Sequence, residues 1–262
     1  MPAMNKIPSE IYIPRILHKY INSFNFYKNG DHGSFSQTMM PLDAVHIIFQ
    51  LGTTMLHNTT FSNGWEKRPD VFIGGPYNRF YQMKGKPGTE VFSIEFKYGK
   101  SRHFMSPNAF EIKNQLIDPQ DIWGAAGRLL NDQICHAKNN LERALIAEQF
   151  LTGQFRNIPT SSLDKPLYIL LKKNGLIHLK ELAEMARMSM SNFRKRFREE
   201  VGLSPKQFQK IIRTNALIQY RMSNPDISLT DLGYHFEYFD QSHFIKDFKS
   251  ATGLPPKLFF KQ

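Results

Sequence analysis

The sequence of 262 residues has one cysteine, Cys135, and two tryptophans. None of its apolar runs approaches the ~18 residues of a membrane-spanning helix. A single cysteine excludes an intramolecular disulfide and any multi-cysteine zinc site. The opening MPAMNKIPSEIYIP has no apolar core of signal-peptide length, so a reduced, cytoplasmic chain without a membrane partner is expected. His32, His46, His57 and His103 are scattered, with no His-X-His or His-X-X-X-His spacing and no carboxylate motif beside them. A β-barrel metal site needs such clustering, so neither a metal nor another cofactor is expected. Gly74-Gly75-Pro76 and Lys84-Gly85-Lys86-Pro87-Gly88 are too short, and lack the following helix, for a phosphate loop; they read as turns. Cys135-His136 lies between Ile134 and Ala137 on an amphipathic stretch, where a buried structural cysteine is expected rather than a nucleophile. With no clustered acid–base, nucleophilic or metal constellation, catalysis is not expected.

Positive charge is abundant: 34 Lys and Arg against 23 Asp and Glu, a formal net charge of +11. The excess favours polyanionic partners. It is concentrated towards the C-terminus, where residues 160–262 hold 17 basic and 10 acidic residues and residues 1–159 hold 17 and 13.

Periodicity changes along with charge. Val45 to Leu51 is a short apolar run closed by Gly52, Val71-Phe72-Ile73 ends in a turn signal, and Thr89 to Tyr98 alternates. Phe92, Ile94, Phe96 and Tyr98 share one face of that segment, and Ser93, Glu95 and Lys97 the other, as in a half-buried strand. From Asp121 the period becomes helical, with Ile122, Ala125, Ala126, Leu129, Leu130 and Ile134, then Leu141, Leu145, Ile146 and Phe150. The predicted architecture is α+β. A β-rich sensor or dimerisation domain closed by two helices spans 1–155, a linker 156–164, and an all-helical domain 165–262. Phe72, Tyr77, Phe80, Tyr81, Phe92 and Phe96 are either core or the lining of an effector pocket.

The helical part carries a twofold echo. Arg194 to Pro205 parallels Ile245 to Pro256: each copy has a Phe, five residues later a Gly, then Leu-X-Pro. In the first copy Leu179, Leu182, Ala183 and Ala186 form the inner face of a short helix, and Met188-Ser189-Met190 interrupts it with Ser189 as N-cap. A second helix turns Phe193 and Phe197 inward and leaves Arg194, Lys195 and Arg198 outward. This is a helix-turn-helix pattern. The second copy repeats it with Leu229, Leu232 and Gly233, a corner at Phe236 and Tyr238, and a helix capped by Asp240. Between them, Pro205 to Met222 reads as one helix of about 27 Å at ~1.5 Å per residue. Recognition helices in successive major grooves sit roughly 34 Å apart. The connector is of suitable length, which specifies double-stranded DNA as the polyanion.

Leu232-Gly233-Tyr234-His235-Phe236-Glu237-Tyr238-Phe239-Asp240-Gln241-Ser242-His243-Phe244 through Lys249, followed by Gly253-Leu254-Pro255-Pro256, resembles the DNA-binding domain of the AraC/XylS family of bacterial transcription regulators. Gly233 stands where the family usually has Ala, and Glu237 where it usually has Gly. A left-handed Glu costs on the order of 1 kcal/mol, so a less rigid second unit is expected. More weakly, Pro41 to Phe49 and Val91 to Phe96 resemble a β-rich sensor domain of some members.

The resemblance implies that Ser191, Arg194 and Lys195 of the first unit, and Gln241, Ser242, His243 and Lys246 of the second, face base edges. Arg198, Lys206, Lys210, Arg213, Lys249 and Lys257 are expected at phosphates, although Arg213 is equally suited to an internal carboxylate. The implied function is sequence-specific regulation of transcription, with activation beside RNA polymerase at promoter DNA. A small-molecule effector and homodimerisation stay open. Two alternatives remain: an enzyme with an N-terminal catalytic domain, and a non-specific nucleic-acid-binding protein.

Overall fold

A computed structural model describes residues 8–29, 33–41, 43–58 and 64–261. The opening peptide up to Ile7, His32 and Leu42 lie outside the described residues. Among the described residues ten strands precede the helices: β1 (Glu10–Tyr12), β2 (Ile21–Lys28), β3 (Phe35–Met39), β4 (His46–Gln50), β5 (Leu56–Asn58), β6 (Glu66–Lys67), β7 (Val71–Gly74), β8 (Tyr81–Gly85), β9 (Glu90–Phe96) and β10 (Leu116–Ile117). They form two antiparallel sheets, one ordered β1-β2-β9-β4-β7-β10 and the other β3-β8-β5-β6.

The period of two gives the larger sheet two distinct faces. Phe24, Phe26, Ile47, Phe49, Ile73, Phe92, Ile94 and Phe96 point to one side and enter a continuous apolar core. The opposite face carries His46, Ile48, Val91, Ser93 and Glu95 and looks towards the smaller sheet across a cavity of about 400 Å³. Ser93 is buried there, so β9 is covered on both faces instead of half-buried as its alternation suggested. Of the six aromatics considered as pocket lining, Tyr81 alone lines this cavity, while Phe92 and Phe96 belong to the core behind the sheet.

Three helices close that core, one more than expected: α1 (Pro119–Trp123), α2 (Ala125–His136) and α3 (Asn140–Gly153). The extra helix starts on a Pro after Asp118, whose carboxylate accepts the Gln120 N–H at 2.8 Å. Leu130 and Ile134 of α2 and Ala144, Ala147 and Leu151 of α3 face inward. Leu129, Leu141 and Leu145 are exposed despite their helical spacing. Ala144 and Ala147 are the residues that α3 turns into the core, where it packs beside α2.

No strand or helix occupies residues 154–163. Seven helices then follow: α4 (Asp164–Lys172), α5 (Leu179–Met185), α6 (Met190–Val201), α7 (Pro205–Ser223), α8 (Leu229–His235), α9 (Gln241–Thr252) and α10 (Pro256–Phe259). They build two apolar cores. One surrounds Phe193, Phe197 and Phe208; the other surrounds Leu217, Leu232, Phe244 and Phe248 and admits Met40 from the β domain.

Candidate nucleic-acid interface

Both predicted units are present. In the first, α5 and α6 cross over buried Leu182, Ala183, Ala186, Phe193 and Phe197. In the second, α8 and α9 cross over Leu232, Gly233, Phe244 and Phe248. The caps are those the sequence offered: Ser189 accepts the Asn192 N–H at 3.3 Å and Asp240 the His243 N–H at 2.6 Å. Each second helix ends on a left-handed glycine, Gly202 at φ 86° and Gly253 at φ 81°, with the N–H donated at 2.8 Å to Arg198 and Lys249 respectively.

The corners agree as closely. Glu237 has φ 55°, the left-handed conformation anticipated from its place in the motif, and Arg187 has the same φ at the first corner. A bulky non-glycine residue carries the turn in both units. At Gly233 an added Cβ would meet the Phe244 side chain at 3.5 Å, an ordinary contact. The helix crossing therefore has room for the alanine common in the family.

Ser191, Arg194, Lys195 and Arg198 are exposed along one side of α6, and Gln241, Ser242, His243, Lys246 and Lys249 along α9. Lys206 and Lys257 are also exposed. Two cations are engaged internally. Lys210 of α7 pairs with Asp247 of α9 at 2.8 Å, tying the connecting helix to the second recognition helix. Arg213 donates to the Phe236 carbonyl and stacks 3.7 Å above the Tyr238 ring. A carbonyl and a ring, not a carboxylate, hold it inside the domain. His243 Nε2 lies 3.4 Å from the same Asp247. Sequence reasoning overlooked Phe239, whose ring is 90% exposed immediately before the cap of α9. Its signal was a large apolar residue at a turn position that the corner does not need for packing.

The β domain leans on both units. Ala109 N–H donates to the Glu199 carbonyl at 3.0 Å, and Phe110 lies 5.4 Å from the Arg198 guanidinium. A Cβ on Gly202 would come within 2.7 Å of Pro76, and one on Gly253 within 2.7 Å of the Phe80 ring. The segment between β7 and β8 thus touches the ends of both recognition helices. Lys100–Asp164 at 2.6 Å and Arg102–Glu200 at 3.8 Å add ion pairs across the same junction.

The other sequence features fall apart in space. Cys135 is exposed on α2, which corrects the expected burial, since the helix turns Ile134 inward instead. Partial desolvation, with Asp132 and Asp70 nearby, raises its thiol pKa, the opposite of what a nucleophile requires. His46 is held neutral by burial, its pKa pushed down to about 4, with Asp43 opposing the shift. His103 stacks on Phe155 and His57 sits 3.9 Å from Glu66, away from one another's partners. Among the described residues no three His, Cys, Asp or Glu side chains gather as metal ligands, and no helix is long and apolar enough to cross a membrane.

Two crossed helix pairs with cationic second helices, joined through one long helix, define a double helix-turn-helix DNA-binding domain. Residues 182–262 match the family described as "Helix-turn-helix domain", and residues 11–118 match a "Domain of unknown function (DUF6597)". An "Uncharacterized HTH-type transcriptional regulator" of Haemophilus influenzae is 30% identical over 84 residues. That match covers 32% of this chain and 28% of the relative, so the chain spans under a third of the curated protein it resembles. A solved structure of ToxT from Vibrio cholerae is similar at 12% identity and TM-score 0.49, covering 90% of this chain and 97% of that one. The AraC-like transcriptional activator CuxR is similar at 8% identity and TM-score 0.25, with 91% and 73% covered. The motif, the double unit and the helix-turn-helix family match coincide on the same C-terminal residues.

Proposed function

We propose that the protein is a sequence-specific DNA-binding transcription regulator that places α6 and α9 in successive major grooves. The carrying observation is the pair of exposed, cap-anchored recognition helices joined through α7, whose 19 residues span about 28 Å. Arg194 bridges a guanine edge and Gln241 an adenine edge, with Ser191, Lys195, Ser242, His243 and Lys246 completing the base contacts. Arg198, Lys206, Lys249 and Lys257 hold phosphates. Lys210 and Arg213, engaged inside the domain, act by holding α7 against the second unit. Phe239 is placed to pack on a thymine methyl. The β domain serves as a sensor with a small-molecule effector in its inter-sheet cavity, and RNA polymerase is the partner through which the regulator activates; this last role rests on the family resemblance.

Genome-wide sequencing of DNA crosslinked to the full chain tests the reading. Discrete peaks whose shared motif loses its preference at one position in Arg194→Ala support it. Uniform coverage, unchanged by that substitution, overturns it in favour of non-specific binding.

A further inference from the structure

The cavity between the sheets contains a charge that no described carboxylate matches. Arg68 is 3% exposed, lines the cavity, and is flanked by Phe72 and Tyr81 with each ring 5.0 Å from its guanidinium. Its Nε has no hydrogen-bond partner, and among the described residues no carboxylate is within ion-pair distance. A buried guanidinium beside two rings, with no described carboxylate to pair with, is a costly arrangement, and a planar carboxylate from outside would relieve it with two parallel hydrogen bonds.

Strand register locates a second polar group. Phe72 pairs with Ile48, and Ile48 with Ser93. Two residues along the same strands, on the same face, His46 pairs with Glu95, and both line the cavity. Two residues of strand advance about 7 Å and the step from β7 across β4 to β9 adds about 10 Å sideways, so Glu95 lies roughly 12 Å from Phe72 in the sheet, a span that the long Arg68 side chain and a short ligand bridge together. Glu95 accepts from Asn22 at 3.0 Å and from Asn25, yet it borders the cavity with lone pairs to spare, and its neighbour His46 is neutral and does not repay it as a cation. The lining also includes the apolar, pliable side chains of Met55 and Met83.

We infer that the cavity binds a small ω-substituted carboxylic acid, its carboxylate on Arg68 and a hydrogen-bond donor at the far end of a short methylene chain on Glu95. This rests on the sensor role given to the β domain above. Asn215, Ile218 and Gln219 of α7 form part of the same wall, so an occupant also touches the helix that joins the two recognition units.

The test uses the full chain with 13C-methyl methionine and three probes: 6-aminohexanoate, hexanoate, which lacks the donor, and hexylamine, which lacks the carboxylate. The expected result is saturable displacement of the Met55 and Met83 signals by 6-aminohexanoate, with each truncated probe binding roughly tenfold more weakly. Arg68→Gln should reduce 6-aminohexanoate to the level of hexylamine, and Glu95→Gln to that of hexanoate. Arg68→Lys should retain part of the preference. Unchanged signals from Met105, buried in the β-domain core, show that each variant is folded there; if Arg68→Gln disturbs them, Arg68→Lys and the three-probe comparison decide. Absence of saturable displacement, equal binding of the three probes, or a preference indifferent to Arg68 overturns the inference. DNA binding is measured on the same samples. Loss of acid recognition with DNA binding intact refutes the ligand class alone, whereas acid recognition without DNA binding refutes the regulator reading.

Discussion

Glu237 holds a left-handed backbone, φ 55°, in the corner of the second unit, and replacing it with glycine should stabilise the protein. Its N–H donates to the Tyr234 carbonyl at 2.9 Å, a bond that glycine keeps. The side chain is exposed, so little packing is lost. A non-glycine residue in this conformation costs roughly 1–2 kcal/mol. Glycine gives back about 0.4–1 kcal/mol through the greater freedom of the unfolded chain. The net gain is about 0.5–1 kcal/mol, which for a chain of this size raises the midpoint of thermal unfolding by roughly 1–4 °C. Helical ellipticity at 222 nm during thermal unfolding of the full chain reads the C-terminal domain, because the β domain contributes fewer helices. Arg187→Gly is the internal comparison, since Arg187 has the same φ at the first corner. The two substitutions should act alike and add, being in separate units. A lowered or unchanged midpoint in both variants would refute the claim that the corners are conformationally strained.

Gly233→Ala should stabilise by about 0.5–1 kcal/mol, because a helical glycine gains propensity and the new methyl meets Phe244 at 3.5 Å without overlap; denaturant midpoints check it. Arg194→Ala should relax selection at one operator position by about 1–3 kcal/mol, while Lys257→Ala weakens all sequences alike and lowers the salt slope; matching sequence profiles for the two would contradict this division. His46 has its pKa depressed to about 4 in the folded state against 6.5 unfolded, so its contribution is present above 6.5 and is lost as pH falls towards 4. Over that window it removes about 1.4 kcal/mol of stability per pH unit. Asp43, whose carboxyl is raised by burial, acts in the opposite sense, so the His46 effect is read as the difference between the parent chain and His46→Gln across pH 4–7. Parallel curves would show that His46 is not buried neutral.

The helix-turn-helix half was legible because its signals are local. Caps at Ser189 and Asp240, glycines at Gly202 and Gly253, and the small residues Ala183 and Gly233 at the crossings each impose their geometry on the residues beside them. The helical face of α3 was not legible. Leu141 and Leu145 have the spacing of an inner stripe, but the folded helix turns Ala144, Ala147 and Leu151 into the core instead, a tertiary property. The same holds for β9, whose alternation is plain while the cover over Ser93 comes from a sheet assembled from distant strands. Engagement of Lys210 by Asp247 and of Arg213 by Phe236 and Tyr238 is likewise long-range, and an exposed phosphate-binding cation has the same sequence appearance as a paired one. Arg187 gave no warning, since Arg has no preference for a left-handed corner and only the folded unit reveals it. The cavity at Arg68 depends on strand register across two sheets, and its lining mixes polar residues with methionines where aromatic residues had been considered.

Selection of duplexes from a random DNA library by the full chain at ~0.15 M salt tests the central claim most directly, since salt of that strength suppresses binding that rests on phosphates alone. The account predicts an enriched site with two short conserved blocks about 10 base pairs apart, one for each recognition helix. A selected pool with no enriched sequence would contradict it, leaving a basic helical domain without sequence choice.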